Sequence, residues 1–585
     1  MARKEIPFVS GWRDPDLTGM LYEFCINMQP TAFDGSTKTY AMIPSPGNER
    51  FYQIQGTLND DVIRGMIVMS GHIYCFAGEK LVELTPTISS NLLTTFTETV
   101  YSVTSSSGAS FAATTPVRMG YSNKDSSGNP ELCIVLQSST GSWELLSFTK
   151  TATTKLAHID GGAIDSVTSR DMVGATDIQF LDNRFIIPKG EKSSVDQSVF
   201  DVTTDSGTPT RLRNVTAGWV SGSIERNDKA KGLALNNGNF FIFGEHLVQT
   251  WTDAGLAGLP FRPIMGQTFD YGTPSQFTIQ TSTGPTGDDI TIFLSRDKEG
   301  SLSVIQLGRG GAIPISTRQI EGYFANNVTN AFNAIGMMYR EDSDLFYMIT
   351  FPTDDLTFVF DFEHKEWHKR EWTDNGRHIA NAIVNYDQTA AGESDLYEQI
   401  TFIGDFESKR IYKFSSAIYT YADNGTTVYP ENSTLDGKVL DITETRQNTG
   451  VTPPASDTAV GDDFKALAIA KTVVSPIFED PNDKVITISR LELQTVQGTG
   501  RLDYNKNTYT EDRDPLIKVL VSDDRGRSYG NPSNDGIGEA GYYKTRTRYF
   551  GLGSSHDGFV FKVQSWSKQP IIILRTIVDY MLGEE

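Results

Sequence analysis

His364 and His368 stand four residues apart, a spacing that on a helix would put two imidazoles on one face, ready to share a metal ion. The residues leading into them, Phe358-Val359-Phe360-Asp361-Phe362, read as strand and turn, where that spacing does not converge. Asp503, Asn505 and Asn507 offer oxygens at alternate positions, with Asp514 where a calcium loop carries its last ligand. Thr508 occupies the place such a loop reserves for glycine, and its closing residue is Asp rather than Glu, so a polar hairpin is the simpler reading. Gly308-Arg309-Gly310-Gly311 follows a strand as a phosphate-cradling loop does. Ala312-Ile313-Pro314 cannot open the helix whose N-terminus would hold the phosphate, which leaves a tight turn between strands.

Ser522-Asp523-Asp524-Arg525-Gly526-Arg527-Ser528-Tyr529 is the most specific local pattern. It resembles the Asp box, Ser-x-Asp-x-Gly-x-Thr-Trp, with Ser528 and Tyr529 as conservative changes. Its mechanics are structural: Asp524 bonds turn amides, Gly526 takes positive φ, and Tyr529 packs beneath the hairpin. Asp boxes occur in sialidases, which are propellers, so a glycan-cleaving enzyme stays open as an alternative, as does a glycan-binding adhesin. A sialidase needs three arginines about the substrate carboxylate and a Tyr–Glu nucleophile pair, and nothing in the sequence gathers them. No nucleophile elbow, phosphate loop or Cys–His pair with recognisable context is present. No catalytic residue, cofactor or metal is therefore assigned, and the chain reads as a non-enzyme.

The elements that must carry these residues are strands. Seven times a short apolar strand, a polar turn and a second apolar strand recur, at a spacing of 50 to 59 residues. The first strands centre on Ile73–Phe76, Leu132–Leu136, Phe185–Ile187, Phe240–Phe243, Ile290–Leu294, Leu345–Ile349 and Ile400–Ile403. A multi-strand repeat of this length is what a β-propeller blade requires, because each small sheet must bury its faces against its neighbours. The weak second strand after Phe185 leaves six or seven blades open. The expected organisation is an extended arm over 1–39, a propeller over 40–415, a projecting loop or hairpin insertion or a linker over 416–475, and a jelly-roll-like β-sandwich over 476–585. Helices are expected to be few and short, since no stretch sustains a 3.6-residue apolar period.

Net charge is the outlier of the composition: 51 basic against 73 acidic residues, or −22. Residues 484–585 hold 14 basic and 13 acidic side chains, so the excess lies in the first 483, with 37 against 60. Such a body disfavours tight binding to nucleic acid, which relies on Lys and Arg displacing counterions. Cys25, Cys75 and Cys133 are too few for a disulfide framework and are expected as reduced, packed thiols. Met1–Pro7 lacks the apolar run of a signal peptide, and no stretch approaches the ~20 apolar residues of a membrane helix. A soluble protein made in the cytosol, without membrane insertion, is expected.

With these residues in view, the chain resembles the packaged-DNA stabilisation proteins of short-tailed phages, also called tail hub or nozzle proteins. The resemblance rests on Asn27-Met28, Ile43-Pro44-Ser45-Pro46-Gly47, Phe241-Ile242-Phe243-Gly244-Glu245 with Val248-Gln249-Thr250-Trp251, and Gly272-Thr273-Pro274. It continues through Gly308, Gly310, Ile313-Pro314-Ile315-Ser316-Thr317 and Ile320-Glu321, and ends with Arg490-Leu491-Glu492-Leu493 and Arg548-Tyr549-Phe550-Gly551-Leu552-Gly553. The resemblance implies structural roles for Gly244, Glu245, Trp251, Gly308, Gly310, Pro314 and Glu321. It also implies a homohexameric ring in the virion tail, assembled in the host cytoplasm, beneath the portal and adaptor rings. Further implied partners are tail fibres or spikes, a needle or plug protein, and genomic double-stranded DNA passing through an acidic lumen.

Overall fold

The computed structural model describes residues 2–6, 8, 24–32, 40–55, 62–89, 92–103, 111–112, 114–122, 130–139, 141, 143–150, 156–159, 174–190, 200–203, 219–222, 228–256, 259–297, 299–308, 311–341, 344–372, 376–386, 399–415, 420–421, 467–482, 484–499, 514–539, 541–544, 546–567 and 569–583.

Seven four-stranded antiparallel blades succeed one another along these residues. Their innermost strands are Ile63–Met69, Arg118–Tyr121, Gln179–Leu181, Gly232–Asn236, Gln280–Thr283, Ile335–Glu341 and Ala380–Tyr386. Each inner strand touches the next, and the seventh touches the first, which closes the ring. The apolar repeats lie on the second and third strands of each blade. Both faces of the second strands are buried, so alternate residues serve opposite neighbours. In blade 1, Ile73 and Cys75 pack against blade 7 with Val384 and Phe402, while Tyr74 and Phe76 pack against blade 2 with Leu132 and Ile134. Two-faced burial explains why the sequence shows continuous apolar runs rather than alternation. Blade 3 is complete, since Phe200–Thr203 pairs with both Arg184–Pro188 and Trp219–Gly222.

Aspartates at strand ends cap the hairpin turns. The side chains of Asp253, Asp297, Asp361 and Asp405 each accept the backbone N–H two residues on, at 2.8–2.9 Å. Among the described residues one α-helix, Arg318–Asn327, crosses from blade 5 to blade 6 and buries Ile320 and Phe324 between them.

The fourth strand of blade 7 comes from the beginning of the chain. Gly47–Gln53 pairs antiparallel with Arg410–Ser415, so the N-terminal region closes the ring. Phe51 lies 5.3 Å from Phe96 of blade 1 and 5.1 Å from Phe402 of blade 7, centroid to centroid.

The described residues of the expected 1–39 arm are not free but paired in strands. Ala2–Ile6 pairs with Ile573–Leu582, Met28–Ala32 with Tyr40–Pro44, and Phe24–Ile26 with Lys471–Val474, all within a two-sheet sandwich. One sheet runs Met28–Ala32, Tyr40–Pro44, Ile573–Leu582, Ile486–Thr495 and Thr547–Ser555; the other runs Phe24–Ile26, Lys471–Val474, Val560–Ser565, Leu516–Ser522 and Ser533–Gly536. Ile6, Phe8, Cys25, Met28 and Met42 share its core with Leu491, Phe561 and Val578. Within 416–475, expected as a loop, hairpin insertion or linker, the described ends are strands. Tyr421 pairs with Asn48, Thr420–Tyr421 pairs with Leu467–Ala468, and Lys471–Val474 belongs to the sandwich; residues 422–466 lie outside the described residues.

Asn27 fastens the sandwich to the propeller. Its φ of 54° places it in the left-handed region, where Asn is tolerated better than most residues. There its N–H donates to Lys369 O, its amide donates to Ala470 O, its side-chain oxygen accepts from Glu371 N, and its carbonyl accepts from Ser45 N. Strand Phe24–Ile26 consequently continues the sheet of blade 6 in parallel, Ile26 opposite Lys369. Cys25, Cys75 and Cys133 are buried thiols outside any disulfide, and burial pushes the Cys25 thiol up to about 12.

Phe51→Ala is expected to lower the unfolding free energy by about 2–3 kcal/mol, below the full-burial value because the ring is partly exposed. Urea denaturation followed by fluorescence measures it; an unchanged midpoint would show that the closing strand lies outside the cooperative unit.

Candidate functional site

The segments leading into the inner strands converge at one end of the propeller axis. They enclose a cavity of about 640 Å³ lined from all seven blades, including Trp143, Lys229, Lys231, Phe277 and Arg377. Phe277, Ile335 and Asn381 also line a narrower section of about 180 Å³ between the inner strands, where Arg64 and Arg118 join them.

The rim is built around Asp228. Its Oδ1 accepts from Lys229 N at 2.9 Å and Glu245 N at 3.2 Å; its Oδ2 accepts from His246 N at 2.8 Å and Leu247 N at 3.0 Å. This clamp explains two glycines. A Cβ on Gly244 would lie 2.1 Å from Asp228 Oδ2, and a Cβ on Gly272 would lie 1.9 Å from Glu245 O. Gly244, Glu245 and the Gly272-Thr273-Pro274 segment thus meet at one place, and Glu245 turns outward to Lys231 at 3.4 Å. Trp251 is buried in blade 4, stacked on Phe240 with its N–H given to Gln249.

Arg118 and Asp177 tie four blades across the axis. The guanidinium of Arg118 donates to both Asp177 oxygens at 3.1 Å and to Ile279 O at 3.4 Å, and Asp177 also accepts from Leu233 N at 2.9 Å.

Gly308 ends its strand opposite Gly311, as a tight interstrand turn requires, while Gly310 lies outside the described residues. Pro314 closes the exposed fourth strand of blade 5. Glu321 accepts from Ser316 Oγ at 2.7 Å, and Ser316 Oγ in turn accepts from Val304 N, which anchors the helix whose N-cap is Thr317.

In the sandwich, Ser522 Oγ donates to Asp524 and accepts from Gly526 N, both at 2.7 Å, and Asp524 accepts from Ser528 N at 2.8 Å and Ser528 Oγ at 2.5 Å. Gly526 has φ 84°, and Arg525 before it has φ 63°. Tyr529 packs on Val474 and Val560 beside Phe24, at the join with the propeller. The Ser528 hydroxyl, with the Ser528 amide behind it, holds the Asp524 carboxyl down at about 2.

His364 sits in a turn with Nδ1 2.7 Å from Asp361, whereas His368 is a buried strand residue opposite Val359. Burial holds His368 neutral, down at about 3. Asp514 accepts from Gly538 N; Asp503, Asn505 and Asn507 lie outside the described residues. Among the described residues one group of metal-ligating side chains comes together, Asp228, Glu245 and His246, with ligand atoms within 4.8 Å. The four N–H donors on Asp228 are the wrong polarity for a cation, so the group is a turn device.

A family profile described as bacteriophage P22 Gp10, beta-propeller, from the phage stabilisation proteins, matches residues 4–419. The chain belongs to this family. The Gp10 match takes in the strands before residue 54 as well as the blades, and it ends ahead of the sandwich strands that begin at Lys471. No curated protein sequence matches. Among solved structures, the extracellular domain of a one-component system from B. thetaiotaomicron is 10% identical over 86% of this chain and 61% of its own, with a TM-score of 0.37. AofleA from Arthrobotrys oligospora is 9% identical over 55% and 94%, at 0.30. Exo-beta-1,3-galactanase from Phanerochaete chrysosporium is 7% identical over 81% and 98%, at 0.24. Likeness at these scores carries no inference about activity.

The Gp10-like chain also pairs its terminal motifs strand to strand, Arg490 opposite Phe550 and Glu492 opposite Arg548. Arg490, Arg546 and Arg548 converge on the buried Glu492 at 3.7, 3.6 and 2.9 Å. The sequence alone missed Asp228, Asp177, Arg118 and Arg64. The detectable signal was an aspartate a few residues ahead of the inner strands of blades 3 and 4.

Asp228→Ala strands four amides and is expected to cost about 3 kcal/mol. Gly244→Ala should also destabilise, but the double variant should lose less than the sum, because the methyl then has no carboxylate to displace. Additive urea midpoints would contradict the clamp. Asp524→Ala is expected to cost about 1 kcal/mol at neutral pH. Because the folded carboxyl titrates below its ordinary 3.8, that contribution is present above about pH 4 and fades as pH falls through about 2. Melting of parent and variant at pH 7 and pH 2 should show a gap that closes; a constant gap would reject the turn role.

Proposed function

We propose that the protein is a structural ring subunit of a short-tailed phage tail, non-enzymatic and homohexameric, seated below the portal and adaptor. In this reading it continues the DNA channel, retains the packaged genome, and anchors tail appendages at its side. The observation that carries the reading is the Gp10 family match from residue 4 to 419, running through both the closing strand and all seven blades. A ring whose ends are locked together, with a sandwich fastened to its rim by Asn27, is suited to bearing force between other rings.

The lumen for DNA lies between subunits. The propeller's own axis, a cavity of about 640 Å³ narrowing to 180 Å³, falls in the size range of small-molecule pockets, about 300–1,000 Å³. A duplex whose major groove alone is about 12 Å wide does not fit there. An acidic wall would keep a hydrated gap from the phosphates, over about 8 Å at physiological salt, and avoid the grip of Lys and Arg.

The glycan-cleaving alternative needs a tyrosine nucleophile beside converging arginines. Arg64, Arg118 and Arg377 line the axial tunnel, but no tyrosine stands among its described lining residues, and Arg118 is held by Asp177. These observations favour the structural role.

Electron microscopy of assembled particles is expected to show the protein as a six-fold collar at the tail vertex. A protein that remains monomeric and absent from virions would overturn the proposal.

A further inference from the structure

We infer that the axial tunnel of the propeller is a binding site for a small anion bearing a carboxylate or phosphate group. The inference stands apart from the ring role above and concerns a pocket that DNA does not enter.

Its first ground is charge. In a chain of net charge −22, the tunnel gathers Arg64, Arg118, Lys229, Lys231 and Arg377 against Glu245 and Asp355. Counting also Asp177, which holds Arg118, and Asp228 behind the rim, five cations face four carboxylates, against a strongly acidic chain. Clefts lined by one sign of charge concentrate ligands of the opposite sign.

The second ground is a buried cation with an idle donor. Arg64 is 1% exposed, donates from Nε to Thr115 O and from Nη1 to Gly78 O, both at 2.7 Å, and leaves Nη2 without a partner. Neither acceptor is a carboxylate. Glu79 acts on it from a distance, yet no carboxylate bonds this buried guanidinium, and an oxyanion is the group its planar fork matches. Asn333 Oδ1, also lining the cavity, is likewise buried without a donor, as it would be if it awaited a ligand hydroxyl.

The third ground is backbone geometry. The inner strands of blades 1 and 7 each shift register at one residue, between Ile63 and Gly65 and between Ala380 and Ala382. The displaced residues are Arg64 and Asn381, and both line the tunnel. Bulges re-aim side chains and recur beside binding sites. Asn381 donates to Ile63 O at 2.7 Å and accepts from Arg377 Nη2 at 3.4 Å, so the two bulges support one another. Arg377 in turn lies 3.6 Å over the Phe406 ring. The flat walls are Trp143 and Phe277, 5.9 Å apart and tilted, which suits an organic body behind the anionic head.

Isothermal titration calorimetry of the full chain at constant ionic strength tests this. The ligands are sodium phosphate and sodium glucuronate, with glucose as the neutral control. At least one anion should bind saturably at one site while glucose does not; phosphate alone would identify a phosphoryl ligand, glucuronate alone a carboxylate with a ring. Lys231→Gln, and separately Lys229→Glu at an exposed position, should each weaken that binding about tenfold or more. Two variants are used so that misfolding of one, seen by melting, leaves the other decisive. Absence of binding by both anions, or binding that neither variant weakens, would overturn the inference.

Discussion

Ring closure is the constraint on which the molecule depends. Every blade buries both faces of its second strand, so a ring of seven is stable only if the seventh meets the first. The strand that completes the seventh blade, Gly47–Gln53, belongs to the same N-terminal region that supplies four strands to the sandwich. The first 53 residues therefore lock two bodies at once, and Asn27, Arg370 and Pro46 lie at their join, with Arg370 Nη2 donating to Pro46 O at 2.6 Å. A chain stitched in this way resists shear between its parts.

Polar groups in the interior follow the same logic. Asp228 gathers the amides of one turn, Asp177 and Arg118 span four blades, and three arginines surround Glu492 in the sandwich. Acidic side chains thus serve partly as internal acceptors for backbone N–H groups, and the hairpin aspartates Asp253, Asp297, Asp361 and Asp405 extend that use. The strong negative charge of the chain is consequently a mixture of turn chemistry and surface, and the axial tunnel stands out against it by its opposite sign.

The blades were legible because burial on both sides turns each second strand into an unbroken apolar run, visible in a single sequence. The closing strand was not. Gly47-Asn48-Glu49-Arg50-Phe51-Tyr52-Gln53 is polar in composition and lacks the apolar run that marks the middle strands of a blade. The sandwich strands near the N-terminus were hidden for related reasons: Ala2–Glu5 is exposed, and Pro30 lies within Met28–Ala32, an edge strand, where a missing N–H is tolerated. Local motifs such as Ser522–Ser528 could be read directly, because the hydrogen bonds among Ser522, Asp524, Gly526 and Ser528 close within the turn itself. Arg64, Arg118, Asp177 and Asp228 could not, since the ring brings them together from four different blades and two bulges decide where Arg64 and Asn381 point.

Native-state hydrogen exchange of peptides covering Gly47–Gln53 and Arg410–Ser415 tests the closure most directly. If the N-terminal strand locks the ring, its amides should exchange only with global unfolding, matching those of Ile400–Asp405 in the blade interior. Rapid exchange of 47–53 while the blade strands stay protected would contradict the account, for the ring would then hold without its closing strand.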